Sequence, residues 1–402
     1  MALHRALREA AGAYGTPIYF YDLGRLHADA AAVAAAFPDP WLRLYSMKAN
    51  PLPALVAEVA AAGFGISAVS RGELELAAQA GVAAASTALE GIGKTGADLA
   101  RAAELASVGQ PLLWVSLESA EDAAALAAHG VPMDVLVRVN PAVVPETVAG
   151  LAVGAAESKF GVLPEELGSV IEAGGGPTGP LRWRGVHLHI GSQLGAVDAW
   201  RSAFRIGLRL LSLQRAQLPD FDTLDAGGGF PVAFEAPDSV PSASRFAEAV
   251  AEELAAMPED ARPTRLAIEP GRALVAGCGW IVASVLHVRQ RDLAIVVLDA
   301  GMTELIRPAL YGAEHPMIAL TSLGVAVDEA AQEAALVQVH GPICESTDRL
   351  GAASLPPLQR GDLVAIGITG AYASSMFSSY NGRLRPPEIG WDGGQIRRLS
   401  NA

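Results

Sequence analysis

The chain has 402 residues, of which 51% are apolar and 18% charged. That is enough to bury a large core, or two to three ordinary ones, without metals or disulfides, and it excludes a disordered or collagen-like chain. The 43 acidic and 29 basic residues leave a net charge of −14, which repels nucleic-acid phosphates and anionic lipid heads, so neither is an expected partner. Two cysteines, Cys278 and Cys344, cannot build a disulfide framework, which points to a reducing cytoplasm.

In chain order, the opening MALHRALREAAGAYG mixes charge with short apolar runs and does not read as a signal peptide. A β-like run, PIYFYD (17–22), follows. Eight further β-like runs then alternate with helical patterns: WLRLYSM (41–47), FGISAV (64–69), STALE (86–90), LLWVS (112–116), DVLVRV (134–139), RGVHLHI (184–190), DTLDA (222–226) and TRLAIE (264–269). ALVAEVAAA, GELELAAQA and SRFAEAVAEELAAM are intervening helices. This alternation predicts an α/β protein with a (β/α)₈ TIM-type barrel over residues 25–270, whose chemistry sits at the carboxyl ends of the strands. Beyond it, WIVASVLHV, LAIVVLD, MIALTS, ALVQVH and LVAIGI, separated by Gly, Pro and Asp turns, predict a mostly-β C-terminal domain over 271–402, joined by residues 1–24. The charge-free window 273–288 is too short to span a bilayer and 363–382 is filled with Gly, Ser, Thr and Asn, so a soluble protein is expected.

The eight runs end in Lys48, Ser67, Glu90, Arg138, His189, Gly227 to Gly229 and Glu269. A lysine after a strand is ordinarily a solvated surface residue. At a barrel's carboxyl face it loses its proton more easily and can attack a carbonyl to form a Schiff base. Alternation puts His187 and His189 on one side of their strand. Core packing is the ordinary reading of such a pair, and with no third ligand at a recognisable spacing no metal is assigned. The triple glycine is either a tight turn or a place where backbone N–H groups approach an anion. EPGR (269–272) offers a carboxylate and a guanidinium within four residues, either as a solvated surface pair or as partners for a cationic ring nitrogen and an anion.

Ten ordered segments carry a resemblance: YSMKAN (45–50), VSRGELE (69–75), RVNP (138–141), SKFG (158–161), HLHIGSQ (187–193), DAGGGFP (225–231), EPGR (269–272), DAGMTELIRPALYGAEH (299–315), GPICESTD (341–348) and GAYASSMFSSYNGRLRP (370–386). Nearly end to end the chain resembles the fold-type III pyridoxal-phosphate amino-acid decarboxylases, most closely the diaminopimelate decarboxylases. The resemblance implies that Lys48 carries pyridoxal 5'-phosphate as a Schiff base and that His189 stacks on the pyridine ring. Glu269 would face the ring nitrogen and keep it protonated, so that the ring accepts electrons as CO₂ leaves. Ser192, Gly227, Gly228, Gly229 and Tyr372 would hold the phosphate, with Gly271 in the same cofactor site. Cys344, by itself a dull small hydrophobe, would enter the neighbouring subunit's site in a homodimer as a proton donor, with Glu345 meeting the distal amine of the substrate. Arg272, Arg307, Tyr311 and Tyr372 would bind the substrate, the arginines through its distal carboxylate. Cys278 is expected to be structural.

The chain departs from the family pattern at Ser67, where an aspartate is usual, at Glu314, usually aromatic, at Pro51, in EGIGK (90–94), and in lacking a histidine upstream of SKFG. The activity implied is decarboxylation of meso-diaminopimelate to L-lysine and CO₂. The alternative is another diamino or dicarboxylic amino acid in specialised metabolism. A racemase of related fold would carry an arginine where Glu269 stands, and a non-catalytic homologue would have lost Lys48 or Cys344.

Overall fold

The computed structural model describes residues 2–147, 152–155, 157–234, 239–327 and 333–400. Their contacts divide the chain into two compact units, one of residues 1–29, 233–237 and 275–402, the other of 30–232 and 238–274.

The first unit begins with the helix Ala2–Tyr14 and strand β1 (Ile18–Asp22). The second is a closed barrel of eight parallel strands, β2 (Leu42–Ser46), β3 (Gly65–Ala68), β4 (Thr87–Leu89), β5 (Trp114–Leu117), β6 (Met133–Val139), β7 (Leu181–Leu188), β8 (Thr223–Asp225) and β9 (Arg265–Ile268), with β9 pairing back to β2. Each falls within or beside one of the eight predicted runs, so the barrel reading holds. Burial on both sides makes such strands short, nearly unbroken apolar runs. Helices between them start at side-chain caps: Ser70 accepts the Glu73 N–H ahead of Arg71–Gln79, and Thr95 with Asp98 forms a capping box ahead of Gly96–Ser107. Leu44, Ala88, Trp114, Leu136 and Ala267, from five different strands, form one buried cluster, so the barrel has a filled core rather than a pore.

The first unit continues as β10 (Gly279–Arg289), β11 (Ala294–Leu298), β12 (Met317–Ala319), β13 (Thr321–Ser322), β14 (Val325–Ala326), β15 (Ala335–His340), β16 (Arg349–Leu355), β17 (Leu363–Gly367), β18 (Glu388–Trp391) and β19 (Ile396–Arg398). The main sheet runs β16-β15-β11-β10-β1-β18-β19, with β17 bridging β10 and β12. PIYFYD is thus a central strand here, antiparallel to β10 and parallel to β18. Ile18, Phe20, Val282, Ala365 and Ile389 bury one sheet face beneath Ala6, Leu7 and Ala10 of the N-terminal helix.

The unit boundaries differ by four or five residues from those expected at 24/25 and 270/271. Residues 276–278 are tied to the β unit, because Ala276 and Cys278 accept N–H bonds from Gly370 and Asp22. The turn 270–271 is tied to the barrel, since the Pro270 carbonyl accepts the Ser46 N–H at 3.1 Å. Among the described residues no helix is long and apolar enough to cross a membrane.

Candidate active site

Lys48 stands on a single 3₁₀ turn, Met47–Ala49, immediately after β2. Two bonds pin this turn: Tyr45 donates its hydroxyl to the Asn50 carbonyl at 2.8 Å, and the Asn50 side chain accepts the Leu52 N–H at 3.2 Å. Its neighbours Met47 and Ala49 are buried while Lys48 itself projects outward. Gly271 lies against the same turn, and a Cβ there would sit 3.1 Å from the Ser46 carbonyl oxygen and 3.4 Å from the Ala49 Cβ. EPGR therefore packs directly on the lysine-bearing turn, which explains a glycine at 271.

Two histidines of β7 and its following turn occupy opposite electrostatic environments. Nδ1 of His189 accepts the Gly228 N–H at 3.2 Å. Desolvation, then the Lys48 and Arg138 charges, hold its basicity well below the usual histidine range. His187 is buried between two carboxylates: Nδ1 lies 2.8 Å from Oε2 of Glu90 and 2.9 Å from the Ser116 hydroxyl, and Nε2 lies 3.1 Å from Oε2 of Glu269. Burial alone would lower its basicity, but Glu90 and Glu269 raise it well above the usual range.

Glu269 ends β9 with 7% of its surface exposed. Burial would favour its neutral form, but the His187 charge overrides that and keeps the carboxyl below the usual carboxylate range. The Ser67 hydroxyl also favours the charged form. Oε1 of Glu269 is buried and without a hydrogen-bond partner among the described residues. An ionised, buried carboxylate with an open acceptor oxygen fits a protonated pyridine nitrogen.

The triple glycine is needed for close backbone approach. A Cβ at Gly227, whose φ is +71°, would run into the Leu188 carbonyl, and one at Gly228 into the Glu269 carbonyl. The resemblance gives the Gly227 to Gly229 backbone a phosphate-holding role. Gly227 donates to Oδ1 of Asp225 at 2.8 Å and Gly228 to His189, so the first two are spent inside the protein. Arg272, buried at the start of a short helix, donates to the Ser192 hydroxyl at 3.2 Å.

Arg138, a strand-end residue for which the resemblance implies no role, is held by its neighbours on the barrel rim. It donates to Oε1 of Glu118 at 2.9 Å and lies 4.9 Å from the Phe160 ring centre, while Oε2 of Glu118 takes the Gly161 N–H at 2.9 Å. These contacts join RVNP to SKFG. The role of Ser116 and the closeness of Glu90 to His187 carry no sequence signal, because they come from strands brought together only by barrel closure.

The β unit holds the remaining predicted residues. Arg307 is buried on the helix Arg307–Tyr311, its guanidinium 5.8 Å from the Tyr311 ring centre. Cys344 is exposed, as is Glu345, which accepts the Tyr380 hydroxyl at 2.8 Å. Buried Asp348 shapes the turn that presents both, accepting the N–H groups of Met302 and Ile343 at 2.6 Å. Tyr372 is partly buried and has a φ of +58°, the left-handed region that tyrosine rarely adopts. Cys278 is fully buried and its S–H donates a hydrogen bond to the Val275 carbonyl at 3.1 Å; burial pushes its pKa up, as suits a structural cysteine. Glu314, the departure in YGAEH, is exposed.

A barrel with a strand-end lysine, a histidine of lowered basicity, a glycine turn and a buried acid is built as pyridoxal-phosphate enzymes are. The model of the pyridoxal binding domain of pyridoxal-dependent decarboxylases matches residues 23–276, and the chain belongs to that family. Its cofactor is pyridoxal phosphate and its class is carboxy-lyase. Within the family, the diaminopimelate decarboxylase of Deinococcus radiodurans is 37% identical over 396 residues, covering 98% of this chain and 95% of that one. The diaminopimelate decarboxylase of Aquifex aeolicus is 31% identical over 400 residues, covering 98% and 91%. Among solved structures, Helicobacter pylori diaminopimelate decarboxylase complexed with L-lysine matches with a TM-score of 0.88 at 28% identity, covering 98% of this chain and 95% of the other.

Proposed function

We propose that this enzyme decarboxylates meso-diaminopimelate at its D centre, giving L-lysine and CO₂, as a cytoplasmic homodimer. The observation that carries the reaction type is Glu269, buried beside His187 at 3.1 Å and with Oε1 without a hydrogen-bond partner among the described residues. Bound pyridoxal phosphate supplies an electron sink for the pair left when CO₂ departs.

The chain's own groups divide the remaining work. Lys48 would hold the cofactor through its amine. Glu269 keeps a negative charge opposite the ring nitrogen, and neutral His189 offers its ring face without adding positive charge. Arg272 and Ser192, already paired, provide donors for an anion. Cys344 and Glu345 serve the partner's site, Cys344 giving the proton that takes the place of CO₂ and Glu345 meeting the distal amine. Arg307 and Tyr311 receive the distal carboxylate, with Tyr372 close to substrate and phosphate.

The substrate assignment is supported by the diaminopimelate decarboxylases matched over 98% of this chain. Purified enzyme loaded with cofactor should release CO₂ from meso-diaminopimelate faster than from lysine, ornithine, arginine or other diamino and dicarboxylic acids. Turnover of another member of the panel, with none of diaminopimelate, would replace this substrate with that one.

A further inference from the structure

Glu90 stands where the family resemblance leads one to expect a different stretch, and the charge usual at position 67 is missing. The barrel places the two departures beside one group. Trp114 donates its indole N–H to Oε1 of Glu90 at 2.8 Å, and Oε2 faces Nδ1 of His187 at 2.8 Å. The other ring nitrogen faces Glu269 at 3.1 Å. We propose that Glu90 is a positioning residue for the cofactor: by fixing the His187 ring between two carboxylates it keeps one oxygen of Glu269 on the histidine and leaves Oε1 for the pyridine nitrogen.

The geometry sets the protonation. Each ring nitrogen lies within ion-pair distance of a carboxylate oxygen, so a doubly protonated ring sets one positive charge between two negative ones. Arg138 on β6 is the register partner of His187, and its guanidinium is held by Oε1 of Glu118 at 2.9 Å. Burial and the Glu269 and Glu90 charges raise the pKa of Asp225 on β8, Ser116 on β5 is uncharged, and the Lys48 charge acts on His189. Glu90, His187 and Glu269 could also be read as three metal-ligating groups, but the ring contacts both carboxylates directly, and the open oxygen of Glu269 suits a pyridinium. Glu90 thereby restores from β4 a negative charge that Ser67 does not supply from β3.

The inference rests on the family's cofactor and not on the substrate proposed above. It is tested first without any variant, by ¹⁵N NMR of histidine-labelled, cofactor-loaded enzyme. At about pH 8, where an ordinary histidine is neutral, both nitrogens of His187 should carry protons; a ring with one bare nitrogen would overturn the proposal. Glu90→Gln keeps the shape and the Trp114 bond but removes the charge. It should leave the melting profile cooperative, return His187 to a neutral ring, weaken cofactor affinity about tenfold and shift the pH dependence of the bound cofactor's absorbance. Glu90→Asp should recover part of each change. A Gln variant that binds cofactor as tightly as wild type with an unchanged absorbance profile refutes the role, and if that variant does not fold, the wild-type NMR result decides alone.

Discussion

The backbone N–H of Gly228 donates to Nδ1 of His189 at 3.2 Å. A nitrogen that accepts cannot carry a proton, so the remaining proton of the neutral ring sits on Nε2, and the ring stays uncharged because protonating Nδ1 would break the bond. Two consequences separate on substitution. His189→Phe keeps an aromatic face but orphans the Gly228 N–H, and should cost about 1–3 kcal/mol of stability while retaining most cofactor affinity. His189→Ala loses both, so its affinity should fall well below that of the Phe variant. Thermal melts beside cofactor titrations check the pair; equal affinities for the two variants would argue against a stacking role.

Asp225 is fully buried, with Oδ1 on the Gly227 N–H and Oδ2 unsatisfied. Burial first, then the Glu269 and Glu90 charges, raise its pKa well above the usual value, against the opposing pull of His187. The folded chain therefore keeps a proton that the unfolded chain releases above about pH 4. Stability from this group is complete below that pH and declines as pH rises toward the folded value. Asp225→Asn keeps the acceptor and does not titrate. Relative to wild type its stability should improve as pH rises above about 4 toward the folded value, by roughly 1.4 kcal/mol for each pH unit crossed. Melting temperatures across that range check this, and parallel curves would contradict it.

Gly228→Ala places a Cβ against the Glu269 carbonyl, in backbone that cannot move without disturbing the end of β9. The expected loss is at least about 2 kcal/mol, with cofactor binding weakened in any chain that still folds, because Glu269 and His189 both shift. A Gly312→Ala control probes a positive φ with open space around it and should cost about 1 kcal/mol with no loss of cofactor. Denaturant melts and cofactor titration of the two variants make the comparison.

Much of the architecture is legible in the sequence because barrel strands buried on both sides are compact apolar runs closed by polar or glycine punctuation, as in DVLVRV or DTLDA. The strand β16 escapes such reading: RLGAASL contains only Leu350 and Leu355 as large apolar residues, and much of it is exposed. β18 and β19 escape for a similar reason, being short and cut by Gly390 and by the Asp392 to Gly394 turn. At the site, Lys48, His189, Gly227 to Gly229 and Glu269 stand out as strand-end residues, and the family resemblance adds their roles. The Glu90 and His187 contact does not stand out, because β4 and β7 are far apart in the chain and alternation alone cannot say which side chains share a layer. Nor does the sequence reveal that Gly227 and Gly228 have already committed their N–H groups.

The exposed Cys344 and Glu345 on a turn shaped by Asp348 raise the question of whose chemistry they serve. If each site of a two-fold dimer takes its cofactor lysine from one subunit and its cysteine from the other, Lys48→Ala and Cys344→Ala should each be inactive as pure dimers. Mixed after dissociation and reassociation, half the dimers pair one variant with the other. In those, one site has lost both groups and the other has both intact, so the mixture should recover about a quarter of wild-type activity. Sites built within one subunit would give no recovery, since every site would still lack one group. Activity of the reassociated mixture, beside an unmixed control at the same concentration, decides between the two arrangements and tests the homodimer at the same time.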